Sequence, residues 1–448
     1  MLSVKQAEAR AAALIEAAAK AGADAADVLY VGDASTGVQV RLGALEDVGR
    51  SEGEEIGLRV FIGQRSASVS SSDLSRDALQ ALVERGVAMA REAPEDPFAA
   101  LAPQDRLYRG GAPAIEGDDN QEPAPQRLKE LALAMEEAAR AVPGITNSEG
   151  ASASAGRSVI ALATSHGFLH GYTTSGYSGG ASVIAGEGGA MQRDYASHSV
   201  RHLADLDPPE AIGRKAGERA VRRLNPGKLS SGKMAVVFDP RVGASLIGHL
   251  LGAISGPAMA RKTSFLLDRE GTRILPEAIT IVDDPHRPRG LRSKPFDGEG
   301  VATSPRRLVE GGTLATILLN QAAAMQLGRQ TNGYATRGVG GSPGVAATNV
   351  HLEPGDTTPE ALIAGIEHGV YVTEMIGQGF NLVTGDYSRG ASGFVIENGQ
   401  IGAAVAEITV AGNLLDMFAN LVAANDLEFR RTVNVPTLLV EGMTVAGA

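Results

Sequence analysis

Eight histidines and no cysteine bound the acid–base and metal chemistry open to this 448-residue chain. Without thiols there is no disulfide, no thiol nucleophile and no thiolate metal ligand. Two histidine pairs sit four apart, His166/His170 and His198/His202. On a helix that spacing places both imidazoles on one face about 6 Å apart, as in zinc proteases. Here Ser165-His166-Gly167 reads as a turn, Phe168–Thr174 as a strand and His198–His202 as strand-like. Four residues of strand span about 13 Å, too far for two rings to share one ion at about 2 Å per bond. His286 follows Asp283 and Asp284, with Arg287 and Arg289 beside it, and reads as a mixed-charge turn. Ser388 lies in Gly385-Asp386-Tyr387-Ser388-Arg389-Gly390, one residue short of the Gly-x-Ser-x-Gly nucleophile elbow. That elbow needs a strand-to-helix turn, whereas strands flank this segment.

The run Gly338-Val339-Gly340-Gly341-Ser342-Pro343-Gly344 fits neither the dinucleotide fingerprint nor the phosphate loop. Two readings stay open for it. It is a surface turn, or it brings backbone N–H and C=O groups close to an extended peptide, as strand addition requires.

The elements that must position these residues alternate between two periods. A helix over 3–21 has Ser3 as N-cap and Gly22 as its stop. The period then becomes two: Asp27–Val31, Gly37–Leu42, Leu45–Arg50 and Ile56–Ile62 read as short strands of an antiparallel meander. A second helix spans Leu74 to Arg91. Six prolines between residues 94 and 125 exclude a regular element there and leave a long, surface-hugging connection. Pro125 opens a helix to Ala141; strands follow at Val159–Thr164, Phe168–Ser175, Ala181–Ala185 and Ala190–Leu203, then a helix from Pro209 to Leu224. Asn225-Pro226-Gly227 and Ser230-Ser231-Gly232 mark a boundary. Beyond it come a buried strand, Met234–Phe238, and an apolar helix from Ala244 to Ile254. Hairpins are expected at Val309–Thr313 and Val395–Gly399, helices at Pro359–Glu367 and Leu414–Val422. The expected fold class is α+β in two domains. Residues 1–230 form a helix-flanked antiparallel sheet, and 233–448 a β-rich unit with a few helices.

Composition agrees with a globular protein and narrows its partners. There are 41 Lys and Arg against 52 Asp and Glu, a net charge of −11, which repels nucleic acid and anionic membranes. Direct nucleic-acid binding is therefore not expected. No run reaches about 18 apolar residues, and the charged N-terminus is not a signal peptide, so a cytoplasmic protein is expected. Glycine is abundant, 56 of 448, which suits a strand-rich fold with many turns.

Leu382–Phe394, Glu397-Asn398-Gly399 and Glu407–Leu414 together resemble the PmbA (TldE) branch of the TldD/PmbA family. So do Gly256–Phe265, Pro295–Gly300 and Val60–Gly63, and the likeness covers essentially the whole chain. The resemblance implies a cytoplasmic subunit of a metallopeptidase that cleaves unfolded or small peptides, including microcin precursors and an antitoxin. It also carries the label modulator of DNA gyrase. In the TldD-type subunit a His-Glu-x-x-x-His helix opens the C-terminal domain, holding zinc and supplying the base.

In this sequence the corresponding helix reads Leu246-Ile247-Gly248-His249-Leu250-Leu251. One imidazole remains and no carboxylate lies within four residues of it. His249 is thus a weak metal candidate. The expectation is that this chain has no catalytic residue and no cofactor of its own, and that zinc sits in a TldD-like partner. The chain would contribute peptide binding and assembly through Arg337, Gly338, Gly340, Gly341, Asn349, Gly385 and Ser388. A homodimer is expected when it is alone. Two alternatives stand: a self-sufficient metallopeptidase using His249 with distant ligands, and a non-enzymatic binding protein or gyrase modulator.

Overall fold

The computed structural model describes residues 1–111 and 114–447; Ala112, Pro113 of the proline-rich connection and Ala448 at the end of the expected second domain lie outside it. The first sheet has six antiparallel strands in the order β3-β2-β1-β4-β5-β6. They are β1 (Ala25–Arg41), β2 (Ala44–Ile62), β3 (Arg65–Ser71), β4 (Ile145–Thr164), β5 (Leu169–Ala185) and β6 (Gln192–Val200). The four short strands expected between Asp27 and Ile62 are two long ones. The intervening Gly, Ser and Asp residues do not end the ladder, because they pair in register across the sheet from Thr36↔Arg50 to Gly32↔Glu54. The one turn is Leu42-Gly43, with φ of 52° and 78°, the two positive values a two-residue hairpin loop needs. β4 begins fourteen residues before the expected Val159. Its first half alternates Ala151, Ala153 and Ala155, which are buried, with Ser152 and Ser154, which are exposed, a pattern too small in side chain to read as a strand.

Four helices cover one face of this sheet. They are α1 (Val4–Lys20), α2 (Arg76–Glu92), α3 (Pro125–Arg140) and α4 (Pro209–Arg222). Ser3 caps α1, as the sequence indicated, and the structure adds a reciprocal pair with Gln6. α1 and α2 pack on Val28, Tyr30, Leu58 and Ala161. α3 and α4 pack on Val38, Val40, Ala153 and Val183. Residues 28, 30, 38 and 40 share a parity along β1, so both helix pairs lie on the same face.

The second half carries β7 (Gly232–Phe238), α5 (Pro240–Ala253), α6 (Gly256–Ala260), β8 (Ile281–Asp283), β9 (Arg306–Glu310), β10 (Thr313–Leu314), α7 (Gln321–Gln326), β11 (Ala335–Thr336), β12 (Gly344–Val345), β13 (Val350–Leu352), α8 (Pro359–Ala364), β14 (His368–Ile376), β15 (Asp386–Glu397), β16 (Gln400–Asn413), α9 (Leu414–Ala419), β17 (Leu421–Ala423), β18 (Val433–Asn434) and β19 (Leu438–Ala446). One sheet runs β16-β15-β14-β7-β19-β17 and another β10-β9-β8-β13-β18. Most pairs are antiparallel; β7–β14 and β13–β18 are parallel. Asn398 and Gly399 form the expected hairpin turn with φ of 49° and 76°. The α+β class with a helix-flanked antiparallel sheet and a β-rich second half is what the sequence indicated.

The halves meet on the other face of the first sheet. Phe296 enters a cluster with Leu29, Leu162 and Phe168. Asp27 of β1 is buried and pairs with Arg59 of β2 and with Arg337 from the second half. The proline-rich connection hugs this seam: Tyr108 N donates to Gly300 O at 2.9 Å, and Arg289 N donates to Ile115 O at 2.8 Å.

Candidate functional site

α5 opens with Asp239 as N-cap, its carboxylate accepting from Arg241 N at 2.9 Å, and Pro240 in the first turn. This start lies four residues before the expected Ala244, because the Asp-Pro pair defines it. Leu246, Ile247, Leu250 and Ala253 face the core. Ser245 and His249, one turn apart, lie on the flank of that stripe.

His249 stacks on Phe380, with ring centroids 4.1 Å apart, and meets Tyr387 edge-on at 5.8 Å. Burial, then the charge of Arg389, pushes its pKa down to about 4. The ring is neutral at pH 7, and its Nε2 is buried without a hydrogen bond. Tyr387 and Arg389 stand two apart on β15 and so share a face. Burial pushes the Tyr387 phenol up to about 12, against the opposing pull of Arg389. Ser388, between them, is exposed, and its N–H donates to Gly379 O at 2.7 Å. Gly385 has φ +80°, and its carbonyl accepts from Leu414 N at 2.7 Å.

A cleft of about 750 Å³ runs between β6, α4, the start of α5 and residues 426–435. β6 is an edge strand. Both backbone groups of Tyr195 there meet side chains: its N–H donates to Asp194 Oδ1 and its C=O accepts from Arg219 Nη1 at 3.2 Å. A neighbouring cavity of about 330 Å³, which shares Tyr195 and Arg241 with the cleft, continues along α5 to Ser245 and Arg389. Asp194, 4% exposed, anchors the wall between them, pairing with Arg241 at 2.9 Å and Arg223 at 3.6 Å. Burial works against the charge on Arg241, but Asp239 and Asp194 outweigh it and hold its pKa up. Burial, then Arg219 and Arg430, pulls that of Lys215 down.

The candidates read from sequence do not form one site. Gly385 and Ser388 lie within two residues of Tyr387, against which His249 packs, but Ser388 points to the opposite, exposed face of β15. Arg337 is elsewhere; its side chain is 1% exposed and tied to Asp27. Gly338, Gly340 and Gly341 follow it along a loop that presses on the first sheet. A Cβ on Gly57 would lie 1.9 Å from Val339 O. Asn349 is buried in a third place, donating to Asp284 O and Ser293 Oγ and accepting from Arg292 N, all at 2.8–2.9 Å. Among the other histidines, His166 bonds Thr164 and the Ala102 carbonyl, His198 accepts from Asp207 N, His202 meets the Glu116 carbonyl and His286 meets Thr303. Sequence reasoning missed Asp194, Arg223, Arg241 and Glu374, the last of which lines the smaller cavity and pairs with Arg223. A strand followed by Asp239-Pro240 was the available signal for the first turn of α5, which carries Arg241; the rest come together only in three dimensions.

The donor set around His249 does not fit a divalent cation. Its neighbours are two aromatic rings and a guanidinium, and no group of three or more His, Asp or Glu close enough to hold an ion occurs among the described residues.

Three family models match in sequence order: PmbA/TldA metallopeptidase domain 1 over residues 26–90, the central domain over 118–224 and the C-terminal domain over 231–447. The chain belongs to the PmbA/TldA metallopeptidase family. It is 39% identical to the metalloprotease PmbA of Escherichia coli O157:H7 over 95% of this chain and 92% of that one. It is 39% identical to a PmbA homolog of Haemophilus influenzae over 97% and 94%. A candidate modulator of DNA gyrase from Bacteroides thetaiotaomicron superposes with a TM-score of 0.91 at 30% identity, covering 100% of both chains. TldE from Thermococcus kodakarensis shares the fold, with a TM-score of 0.88 at 21% identity over 98% of this chain and 100% of that one.

Proposed function

We propose that this chain is the non-hydrolytic, peptide-binding subunit of a two-chain cytoplasmic metallopeptidase, and that a TldD-like partner carries the zinc. The observation that carries this reading is the environment of His249. A metallopeptidase centre needs a metal, a water of lowered pKa and an adjacent base; here a lone imidazole faces Phe380, Tyr387 and the cationic Arg389. Extended peptide would lie in the 750 Å³ cleft, where the edge of β6 beyond Tyr195 would offer main-chain groups for pairing. Gly385 and Ser388 do not line this cleft, and the Gly338, Gly340 and Gly341 loop would act by holding the sheet to the second half. Arg337 and Asn349 serve that assembly rather than the peptide, since both side chains are buried, Arg337 Nη1 pairs with Asp27 and the Asn349 amide is bonded to Asp284, Ser293 and Arg292. The chain divides into units 1–230 and 233–448 around this cleft, and it forms a homodimer when alone. Absence of a membrane-crossing helix among the described residues is compatible with this placement.

The test mixes the purified chain with a TldD-like chain bearing His-Glu-x-x-x-His. Co-elution, zinc that follows the partner and hydrolysis of an unfolded peptide by the mixture alone are expected. Near-stoichiometric zinc on this chain by itself, with chelator-sensitive hydrolysis, would overturn the reading in favour of a self-sufficient peptidase. Binding to a folded partner such as gyrase, with no cleavage in the mixture, would favour the regulator.

A further inference from the structure

Four arginines line the 330 Å³ cavity beside α5, and three of them have acidic partners. Arg193 pairs with Glu149 at 3.4 Å, and Arg223 and Arg241 share Asp194. Arg389 has no carboxylate partner among the described residues. Its Nη1 makes one long contact, 3.5 Å, to Ser245 Oγ, and its Nε is buried without a hydrogen bond.

Two further buried polar atoms stand unpartnered beside it: the Oη of Tyr387, a residue 2% exposed, and Nε2 of His249. Burial without a partner is costly for each, and the half-buried Arg389 has no counter-charge among the described residues to offset that cost. These deficits fall on three adjoining residues, of which Arg389 lines the cavity and Tyr387 and His249 pack behind it. An occupant that relieves all of them must be anionic and must accept from a guanidinium, a phenol and an imidazole. A carboxylate meets these terms, since it is acceptor-only and offers two oxygens. Arg389 Nε–H and Tyr387 Oη–H supply two donors. Neutral His249 supplies a third as its Nε2–H tautomer.

We propose that Arg389, Tyr387 and His249 form a carboxylate-binding site at the end of the cleft along α5. A peptide C-terminus, an acidic side chain and a small organic acid all present this group. That the carboxylate arrives on a peptide rests on the function proposed above; that the site takes a carboxylate does not.

The experiment is calorimetric titration of the full-length chain with a short Gly/Ala/Ser peptide carrying a free C-terminus, with its C-terminal amide, and with the amide containing one internal Glu. The free acid is expected to bind at least tenfold more tightly than the amide. Arg389→Met and the volume-conserving Tyr387→Phe should bring that ratio close to one while leaving the amide's Kd in place. Recovery of tight binding by the Glu-containing amide assigns the site to side-chain carboxylates, and no recovery assigns it to the terminus. Equal binding of acid and amide by the unaltered chain overturns the carboxylate site and leaves peptide binding intact. If no peptide binds, thermal stabilisation by acetate over chloride at equal ionic strength, lost in Tyr387→Phe, keeps the site and sinks its peptide source. No acetate effect, or an equal effect of phosphate, overturns it.

Discussion

At Glu299 the fold keeps a carboxyl group protonated where the unfolded chain would ionise it. Burial, then the neighbouring Asp297, pushes its pKa up to about 8, and its Oε2 accepts from Gln321 N at 2.8 Å. A group whose folded pKa exceeds its unfolded value adds stability that is complete below the unfolded value and is lost as pH rises through the folded one. The chain is therefore expected to lose stability between about pH 5 and pH 8 from this residue. Denaturant midpoints across that range should fall less steeply in Glu299→Gln; parallel slopes would refute the assignment. At Asp27 the sign is opposite. Burial opposes its charge, but Arg59 and Arg337 overcome that and hold its pKa down. Asp27→Ala would leave two buried guanidinium groups unanswered, a loss of about 3–5 kcal/mol measurable by urea unfolding.

Among the elements, the β1–β2 hairpin invites the most direct test. Leu42 is 53% exposed and sits at φ 52°, a conformation that Asn adopts with less strain. Leu42→Asn should stabilise the protein by about 0.5–1 kcal/mol, read from the thermal midpoint. Gly57→Ala should do the reverse, by about 1–3 kcal/mol, since its Cβ would collide with the Val339 carbonyl. These elements also show what local sequence could and could not convey. α1, α2, α3, α4 and the Asn398-Gly399 turn were legible, because capping residues and a 3.6 period are encoded within a few positions. The continuous length of β1, β2, β4 and β5 was not. Their Ser/Gly alternation looks like loop until a paired strand supplies the other half of the ladder. For the site, the segments at His249 and at Gly385–Gly390 were both visible, but not their contact across more than a hundred residues. Arg337 and Asn349 carried polar groups in unusual runs, and nothing local said that those groups are consumed by the interior.

On the scale of the molecule, the second half completes the first. Phe296 is 3% exposed between Leu29, Leu162 and Phe168, so it seals the sheet face that α1–α4 leave open. Phe296→Ala should cost about 3–5 kcal/mol in unfolding. A fragment of residues 1–230 should show that apolar surface to a fluorescent hydrophobic dye; a fragment as stable as the intact chain, with no dye binding, would contradict this dependence. The triad of Asp27, Arg59 and Arg337 crosses the same seam and joins three segments that are remote in sequence. Neither buried arginine is tolerable there without Asp27. Evolutionary drift at these positions is consequently expected to be epistatic, with the three side chains exchanged as a set for a neutral, well-packed trio rather than one at a time.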